Sequence, residues 1–331
     1  AEGIGRLARN DEDLDASMEL AARARQLDVM AEALEDLVCA REGEVRWVEQ
    51  GGGYRVAVAS APVDVGELLP EVLWSQHGTV VLTSATLGTG RPPSFAFLRD
   101  RLGLAEATEV SVGSPFDYET QVRVRVAPHL PDPVRAGQEY ERALAPAVLE
   151  AVRVTEGGAF VLFTGYASMR RVAEAITPQL EADGLEVLVQ GQGQERPALL
   201  ARFREGGAVL FGVASFWQGV DVPGSALRHV IIARLPFDVP THPLQVARQD
   251  RLKAEGRDPF RSLSLPVAAL RLKQGFGRLI RRRDDEGLVT ILDPRIVTRQ
   301  YGRYLLASLP KCPVERLPRV DAAPPPDDCP F

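Results

Sequence analysis

The chain has little cysteine and little lysine, and both shortages exclude classes of site. Its three cysteines, Cys39, Cys312 and Cys329, are odd in number and widely spaced. That pattern supports neither a disulfide framework nor a zinc or iron–sulfur site, and it favours a reduced cytosol. The chain also has only three lysines, and none follows a glycine-rich G-x-x-x-x-G-K-[ST] loop. It therefore has no P-loop of its own to hold the β- and γ-phosphates of a nucleotide.

Long apolar runs are absent as well. No run reaches the ~18 residues that a membrane span needs, and no basic region followed by an apolar core marks a secretory signal. No G-x-G-x-x-G sequence follows a predicted strand, which argues against a dinucleotide-binding enzyme. With 331 residues, 45% hydrophobic and 25% charged, the chain is typical of a globular protein with two domains or one large domain with an appendage. We expect a cytoplasmic protein with no membrane partner.

Positive charge is scarce overall but concentrated in one segment. The formal net charge is −6, yet residues 228–283 contain thirteen Lys/Arg against four Asp/Glu. A basic segment of this kind is typical of nucleic-acid or phosphate binding. The alternative is a solvated basic face whose counter-charges lie nearby in space.

The first sixty residues predict a small helical and hairpin element. Residues 11–42 have the periodicity of one long amphipathic helix, with leucines recurring every seven positions. Strands are predicted at 45–48 and 54–59, joined by the glycines at 51–53, which is the pattern of a β-hairpin.

The rest of the chain alternates buried strands with helices. The predicted strands are 79–83, 122–127, 159–163, 186–189, 208–213, 229–233 and 288–292. The predicted helices are 94–102, 137–154, 167–182, 194–205, 243–254 and 266–282. Strands that are apolar on both faces and alternate with helices predict an α/β fold, a parallel sheet covered by helices on both faces. The proline-rich end, from 310 onward, is predicted to be irregular.

A cationic stretch near residue 280 is the first candidate site. If residues 274–281 are helical, Gln274, Arg278 and Arg281 fall at i, i+4 and i+7 and share one face. The planar guanidinium group matches phosphate oxygens better than an ammonium does. The alternative is a solvated cationic helix end.

Polar residues also follow predicted strands. Thr83, Ser84 and Thr86 come directly after the strand at 79–83, where ligands gather in open α/β sheets. A hydroxyl-rich turn that caps the next element explains the same residues. Thr164 and Tyr166 follow the strand at 159–163, and the tyrosine ring could stack on a base or cover the sheet.

The stretch Ser215–Gly224 places a single carboxylate, that of Asp221, among apolar residues. A half-buried carboxylate needs a partner. A ribose hydroxyl, an arginine of residues 274–281 or the backbone amides of the turn could each supply it.

Taken in order, these stretches resemble the motifs of the second motor domain of superfamily-two helicases of the DinG/XPD type. Thr83–Leu87 resembles motif III, Val161–Tyr166 motif IV, Ser215–Gly224 motif V and Gln274–Arg281 motif VI (Q-x-x-G-R-x-x-R). The resemblance covers roughly residues 40–310 and implies a RecA-like fold. It implies three regions: the end of an inserted, arch-like helical domain at 1–60, a RecA-like C-terminal motor domain at 61–310, and an irregular tail at 311–331.

The resemblance also implies roles for individual residues. Arg278 and Arg281 would reach the nucleotide phosphates, one of them as an arginine finger, with Gln274 holding their segment in place. Gly219 and Asp221 would line the ribose and phosphate side of the cleft. The implied contacts to single-stranded DNA are Thr164, Tyr166 and Ser215. The residues implied to couple the two sites are Thr83, Ser84 and Thr86.

The partners implied are single-stranded DNA and the N-terminal motor domain of the same protein. The implied cofactor is ATP with Mg²⁺, held mainly by that first motor domain, with no metal or iron–sulfur cluster bound by this segment. The parent protein is expected to be a nucleoid-associated, ATP-dependent DNA helicase moving 5′→3′, and this chain alone is expected to be inactive as an ATPase. The alternative is a non-catalytic, regulatory module that binds single-stranded nucleic acid.

Overall fold

A computed structural model describes residues 14–39, 42–50, 56–213, 216, 222 and 224–318. They form two compact units. The first contains the described residues up to Gln76 together with Val239–Arg257, and the second contains His77–Asp238 and the described residues from Asp258 onward. The segment Val239–Arg257 thus belongs to the same compact unit as the N-terminal residues, although it is distant from them in sequence.

The helices, in chain order, are α1 (Leu14–Val38), α2 (Ala96–Leu102), α3 (Tyr118–Gln121), α4 (Gly137–Arg153), α5 (Tyr166–Ala182), α6 (Arg196–Arg204), α7 (Pro243–Ala254), α8 (Leu265–Phe276), α9 (Arg295–Thr298) and α10 (Gln300–Ser308). The strands are β1 (Glu44–Gln50), β2 (Val56–Pro62), β3 (Val122–Val126), β4 (Ala159–Leu162), β5 (Glu186–Val189), β6 (Ala208–Gly212), β7 (His229–Ile232), β8 (Gly287–Ile291) and β9 (Val314–Arg316). Two π-helical turns lie at Pro70–Trp74 and Phe260–Ser264, and a 3₁₀ turn lies at Gly224–Ala226.

The first unit contains the predicted long helix and hairpin. Strands β1 and β2 pair antiparallel, with Trp47 opposite Ala59, which confirms the hairpin; the glycines that join the strands lie outside the described residues. Helix α7 belongs to this unit and is held by Arg251, which forms ion pairs with Glu67, with Asp64 at 3.6 Å and with Glu255 at 2.9 Å.

The second unit is built on a seven-stranded, all-parallel sheet. Its strand order is β5-β6-β4-β7-β8-β3-β9, and every pairing is parallel. This confirms the predicted fold class. Strand β9 lies within the predicted irregular tail, where Val314 pairs with Val124 of β3. A three-residue strand is too short to give a periodic signal in the sequence.

Both faces of the sheet are covered by helices. One face packs against α4 and α5 through side chains such as Leu144, Val148 and Ile176. The other face packs against α6, α8 and α10 through side chains such as Phe203, Leu272 and Leu305. Because both faces are buried, the strands contain few polar residues.

Two predicted elements are wrong. Residues 79–83 do not form a strand, and their side chains are exposed. An apolar run becomes a strand only where a neighbouring strand edge accepts its hydrogen bonds, and no described residue pairs with this one. Helix α8 ends at Phe276, not at residue 282, because the chain turns at Gly277 toward β8.

Candidate functional site

Three neighbouring strands deliver polar groups to the carboxyl edge of the sheet. Strands β5, β6 and β4 are adjacent and parallel, so the residues that follow them meet at one edge. Gln190 follows β5, Val213 follows β6, and Thr164 to Tyr166 follow β4, with Tyr166 beginning α5. The predicted motif IV residues therefore lie where ligands bind in open α/β sheets.

A hydrogen-bonded chain links these three strand ends. The Val213 backbone N–H donates to Gln190 Oε1 at 2.8 Å, and Gln190 Nε2 donates to the Tyr166 hydroxyl at 2.8 Å. The sequence reasoning missed Gln190. The available signal was a polar residue directly after a buried strand, the same signal that identified Thr164.

The Tyr166 side chain is 46% exposed, so its ring is open to a ligand and does not serve as a buried cover of the sheet. The Arg170 guanidinium carbon lies 5.8 Å from the centroid of that ring, within the range of a cation–π contact. Thr164 is half-buried. An aromatic face and a cation are thus presented side by side at this edge.

The motif V residues Ser215, Gly219 and Asp221 lie outside the described residues. Two described residues of this segment, Phe216 and Val222, are buried in the core. Phe216 packs edge-on against Phe160 with ring centroids 5.7 Å apart. These apolar contacts hold Phe216 and Val222 themselves in the core.

The motif VI arginines lie beyond the end of a helix. Because α8 ends at Phe276, Arg278 and Arg281 belong to the turn that leads to β8, and the predicted shared helical face with Gln274 is wrong. Between the two arginines, Leu279 and Ile280 are each only 3% exposed. These two apolar side chains fix the position of the turn.

Polar contacts hold the same turn from two further sides. Asp285 Oδ2 accepts hydrogen bonds from the backbone N–H groups of Arg281 and Arg282, both at 2.8 Å. Gln121 Nε2 donates to the carbonyl oxygens of Arg283 at 3.0 Å and Asp285 at 2.8 Å. The backbone between Arg281 and Asp285 is therefore well defined.

This arginine turn lies at the amino edge of the sheet. Gln121 immediately precedes β3, the turn immediately precedes β8, and Val122 pairs with Gly287 at the start of these parallel strands. The motif IV residues and the arginine turn therefore occupy opposite edges of one sheet. The sequence did not predict this separation.

The motif III residues contact helix α8. Gln274 Nε2 donates to Thr86 Oγ1 at 3.5 Å, and Ser84 Oγ lies 3.3 Å from Thr86 Oγ1. The neighbouring Lys273 Nζ donates to the Gly88 carbonyl oxygen at 3.5 Å, and burial lowers the pKa of Lys273. Motif III and motif VI, 188 residues apart at the Thr86–Gln274 pair, are thus brought together. Thr83 is exposed.

The described residues contain neither a metal-binding cluster nor a membrane-spanning helix. No group of three or more His, Cys, Asp or Glu side chains could hold a metal ion there. No described helix is both long enough and apolar enough to cross a membrane.

A parallel sheet covered on both faces, with the motif residues at its two edges, defines a RecA-like domain. The family described as "Helicase C-terminal domain" matches residues 148–312. The chain is 35% identical over 284 residues to the "3'-5' exonuclease DinG" of Bacillus subtilis (strain 168), covering 83% of this chain and 30% of that protein. It is 38% identical over 259 residues to the "ATP-dependent DNA helicase YoaA" of Escherichia coli (strain K12), covering 78% of this chain and 40% of that protein.

Among solved structures, "XPD_Helicase" matches with a TM-score of 0.63 at 16% identity, covering 96% of this chain and 56% of that one. This likeness shows the fold. The chain belongs to the DinG/XPD-type superfamily-two helicases and contains their C-terminal domain, which confirms the resemblance found in the sequence. It spans only about 30–40% of the length of the two relatives.

Proposed function

We propose that the chain is the second motor half of an ATP-dependent DNA helicase. In this role it supplies phosphate-facing arginines at one edge of its sheet and contacts to single-stranded DNA at the other. The name of the Escherichia coli relative, an ATP-dependent DNA helicase, supports the activity. The opposite placement of the two candidate sites supports the division of labour.

The observation on which the proposal rests is the fixed backbone of the arginine turn. An arginine finger stabilises charge on the transferring phosphoryl group only if it is positioned before the reaction, and such fingers contribute about 10³–10⁵ in rate. Buried Leu279 and Ile280, together with the hydrogen bonds of Asp285 and Gln121, supply that positioning. Arg278 and Arg281 are therefore our proposed phosphate ligands.

ATP with Mg²⁺ is bound mainly by another motor domain in this proposal, because the chain contains no P-loop lysine. Arginine side chains fit a triphosphate held elsewhere, since they contribute charge without needing to enclose the nucleotide. Gly219 and Asp221 are proposed to line the ribose side. The chain alone is proposed to be inactive as an ATPase.

Thr164, Tyr166 and Ser215 are proposed to contact single-stranded DNA, along which the parent protein moves 5′→3′. The coupling role proposed for Thr83, Ser84 and Thr86 is supported by the hydrogen bond from Gln274 to Thr86. That bond connects the segment preceding the arginine turn to the motif III loop, so a shift in one moves the other. A strand-displacement assay with 5′-tailed and 3′-tailed duplexes tests the polarity.

The arginine assignment is tested in the full-length parent protein by steady-state ATPase with single-stranded DNA present. We expect Arg278→Ala and Arg281→Ala each to lower kcat by about 10³. Arg283→Ala is the matched control, because Arg283 is an exposed arginine of the same turn, and we expect it to change kcat less than threefold. An equal loss for all three variants, or no loss for the first two, would contradict the assignment.

A non-catalytic binding module is the second candidate, favoured by the missing P-loop. The motor and the binding module are distinguished by adding a separately expressed first motor domain to the chain. Appearance of DNA-stimulated ATPase supports the motor. The binding module is supported if the chain alone binds single strands tightly with a steep salt dependence, and if mixing the two domains produces no ATPase activity.

A further inference from the structure

We propose that Gln190 is a positioning residue that turns the Tyr166 hydroxyl into a fixed hydrogen-bond donor for a phosphate oxygen of single-stranded nucleic acid. The inference rests on the proposed nucleic-acid contact at the carboxyl edge of the sheet. It adds a residue to that contact and specifies which chemical group of the strand Tyr166 binds.

The direction of the hydrogen bonds follows from the backbone. The Val213 N–H can only donate, so the Gln190 side-chain atom 2.8 Å from it must be the carbonyl oxygen. The amide nitrogen of Gln190 therefore faces the Tyr166 hydroxyl, 2.8 Å away, and donates to it. Tyr166 is consequently the acceptor in this bond.

A tyrosine hydroxyl that accepts one hydrogen bond keeps its own hydrogen for another partner. Gln190 is the hydrogen-bond partner that the structure shows for this hydroxyl, and the side chain is exposed at the sheet edge. The hydrogen is thus available to a ligand. A ligand that uses this hydrogen must present an acceptor.

The surroundings identify that acceptor as an anion. The Arg170 guanidinium lies over the Tyr166 ring, and within the described part of the chain no carboxylate forms an ion pair with it. A Cβ placed on Gly191 would lie 3.6 Å from Tyr166 Cε1 and 3.8 Å from Arg170 Nη2, so ring and guanidinium flank the same point. A hydroxyl donor beside a cation fits a phosphodiester oxygen, because a base edge presents donors as well as acceptors.

Gln190 also ties this donor to Val213, the residue that follows β6. Its amide spans the ends of β5, β6 and β4, so the Tyr166 hydroxyl keeps a fixed distance from the Val213 backbone. A phosphate bound to Tyr166 is therefore held at a fixed distance from the end of β6.

The test measures the affinity of the 331-residue chain for fluorescently labelled oligothymidylate by anisotropy. Tyr166→Phe keeps the ring and removes the hydroxyl, and we expect about tenfold weaker binding. Gln190→Glu retains both hydrogen bonds but reverses one, because the carboxylate accepts from Val213 and from the Tyr166 hydroxyl alike. The tyrosine hydrogen is then turned inward, and we expect a loss of at least tenfold with an unchanged melting temperature.

A double-mutant cycle separates this reversal from simple charge repulsion. If Gln190 acts through the Tyr166 hydroxyl, Gln190→Glu weakens binding less than threefold when Tyr166 is already phenylalanine. If the new carboxylate merely repels the strand, Gln190→Glu weakens binding equally in the wild-type and Tyr166→Phe proteins. Salt titration adds a second readout: Arg170→Ala should reduce the salt slope by about one, whereas Tyr166→Phe should leave it unchanged.

Tyr304→Phe is the matched control, since it removes a hydroxyl that bonds Thr89 at 2.8 Å, and it should bind as the wild type does. Two outcomes overturn this inference and leave the proposed function intact. In the first, the wild type binds and the losses of affinity caused by Gln190→Glu and Tyr166→Phe add independently. In the second, the wild type binds and Tyr166→Phe loses no affinity. No binding by the wild-type chain overturns both this inference and the proposed single-stranded DNA contact on which it rests. Non-additive losses of the stated size support the inference.

Discussion

At the scale of single residues, buried polar groups link stability to pH. His229 is fully buried in β7, with Nε2 2.7 Å from Thr290 Oγ1 and Nδ1 3.4 Å from Thr155 Oγ1. Burial lowers the pKa of His229 to about 3, and the charge of Arg125 acts in the same direction. Below about pH 6.5 the unfolded chain binds a proton at His229 that the folded chain does not. Its contribution to stability is therefore complete above pH 6.5 and is lost as the pH falls toward 3.

We expect the free energy of unfolding to fall by about 1.4 kcal/mol per pH unit from this group alone between pH 6 and pH 4. Urea denaturation at several pH values measures the slope. Carboxylates also titrate near the lower limit, so the control is His229→Gln, a neutral side chain that can still bond Thr290. The slope of this variant should be smaller by that amount. Equal slopes for the two proteins would contradict the assignment of the pH dependence to His229.

At the scale of elements, the turn between α8 and β8 depends on one glycine. A Cβ on Gly287, the first residue of β8, would lie 2.3–2.6 Å from three side-chain carbons of Leu279. Gly287→Ala should therefore displace Leu279 and the arginine turn, and it should lower the free energy of unfolding by about 1–3 kcal/mol. Urea denaturation measures the loss, and the ATPase assay above should show reduced kcat in the full-length protein.

The control for this prediction is Gly137→Ala, because Gly137 begins α4 with nothing near its Cβ position. Alanine is favoured over glycine in a helix, so this variant should be neutral or more stable by up to about 1 kcal/mol. A second variant, Gly287→Ala with Leu279→Ala, removes the clash and should recover part of the kcat lost through the displaced turn. If Gly287→Ala is as stable as Gly137→Ala, the turn is not held by this contact.

At the scale of the whole molecule, the structure decides which apolar segments form the core. Val124 of β3 is fully buried, whereas Val81 and Val112 are 80% and 87% exposed. We expect Val124→Ala to lower the free energy of unfolding by about 2 kcal/mol, since two buried methyl groups are lost. Val81→Ala and Val112→Ala should each change it by less than about 0.5 kcal/mol. Urea denaturation of the three variants tests this, and a loss of about 2 kcal/mol for Val81→Ala would show that residue to be buried.

Much of the fold was predictable because its strands are buried on both faces. Six of the predicted strands, from 122–127 to 288–292, are confirmed to within one residue, and α4 to α7 to within two residues. Continuous apolar runs separated by amphipathic helices leave few alternatives to a parallel sheet. The same reasoning failed for 79–83, because an apolar run does not specify whether a partner strand is present. It failed for β9 because three residues are too few to form a pattern.

Candidate site residues were predicted from residue type, spacing and the family resemblance, and their functional roles stay predictions. Among them are Thr86, Tyr166, Gln274, Arg278 and Arg281. Gln190 was not predicted, because a glutamine after a strand is common and its hydrogen bonds to Val213 and Tyr166 become visible only in the structure. The end of α8 at Phe276 was also missed, since residues 274–281 have an acceptable helical pattern and the turn is imposed by packing of Leu279 against Gly287.

The sequence by itself determined the α/β class and the parallel sheet through its hydrophobic periodicity, and it indicated the helicase family through the resemblance of its motifs, because all of these are properties of the chain alone. Only the tertiary structure decided that motif IV and the arginine turn lie at opposite edges of that sheet, that Gln274 reaches Thr86, and that Gln190 orients Tyr166. The physical reason is that hydrogen bonds and packing between distant segments depend on strand order. Seven strands can be ordered in many ways that share the same local pattern, and long-range contacts select one of them.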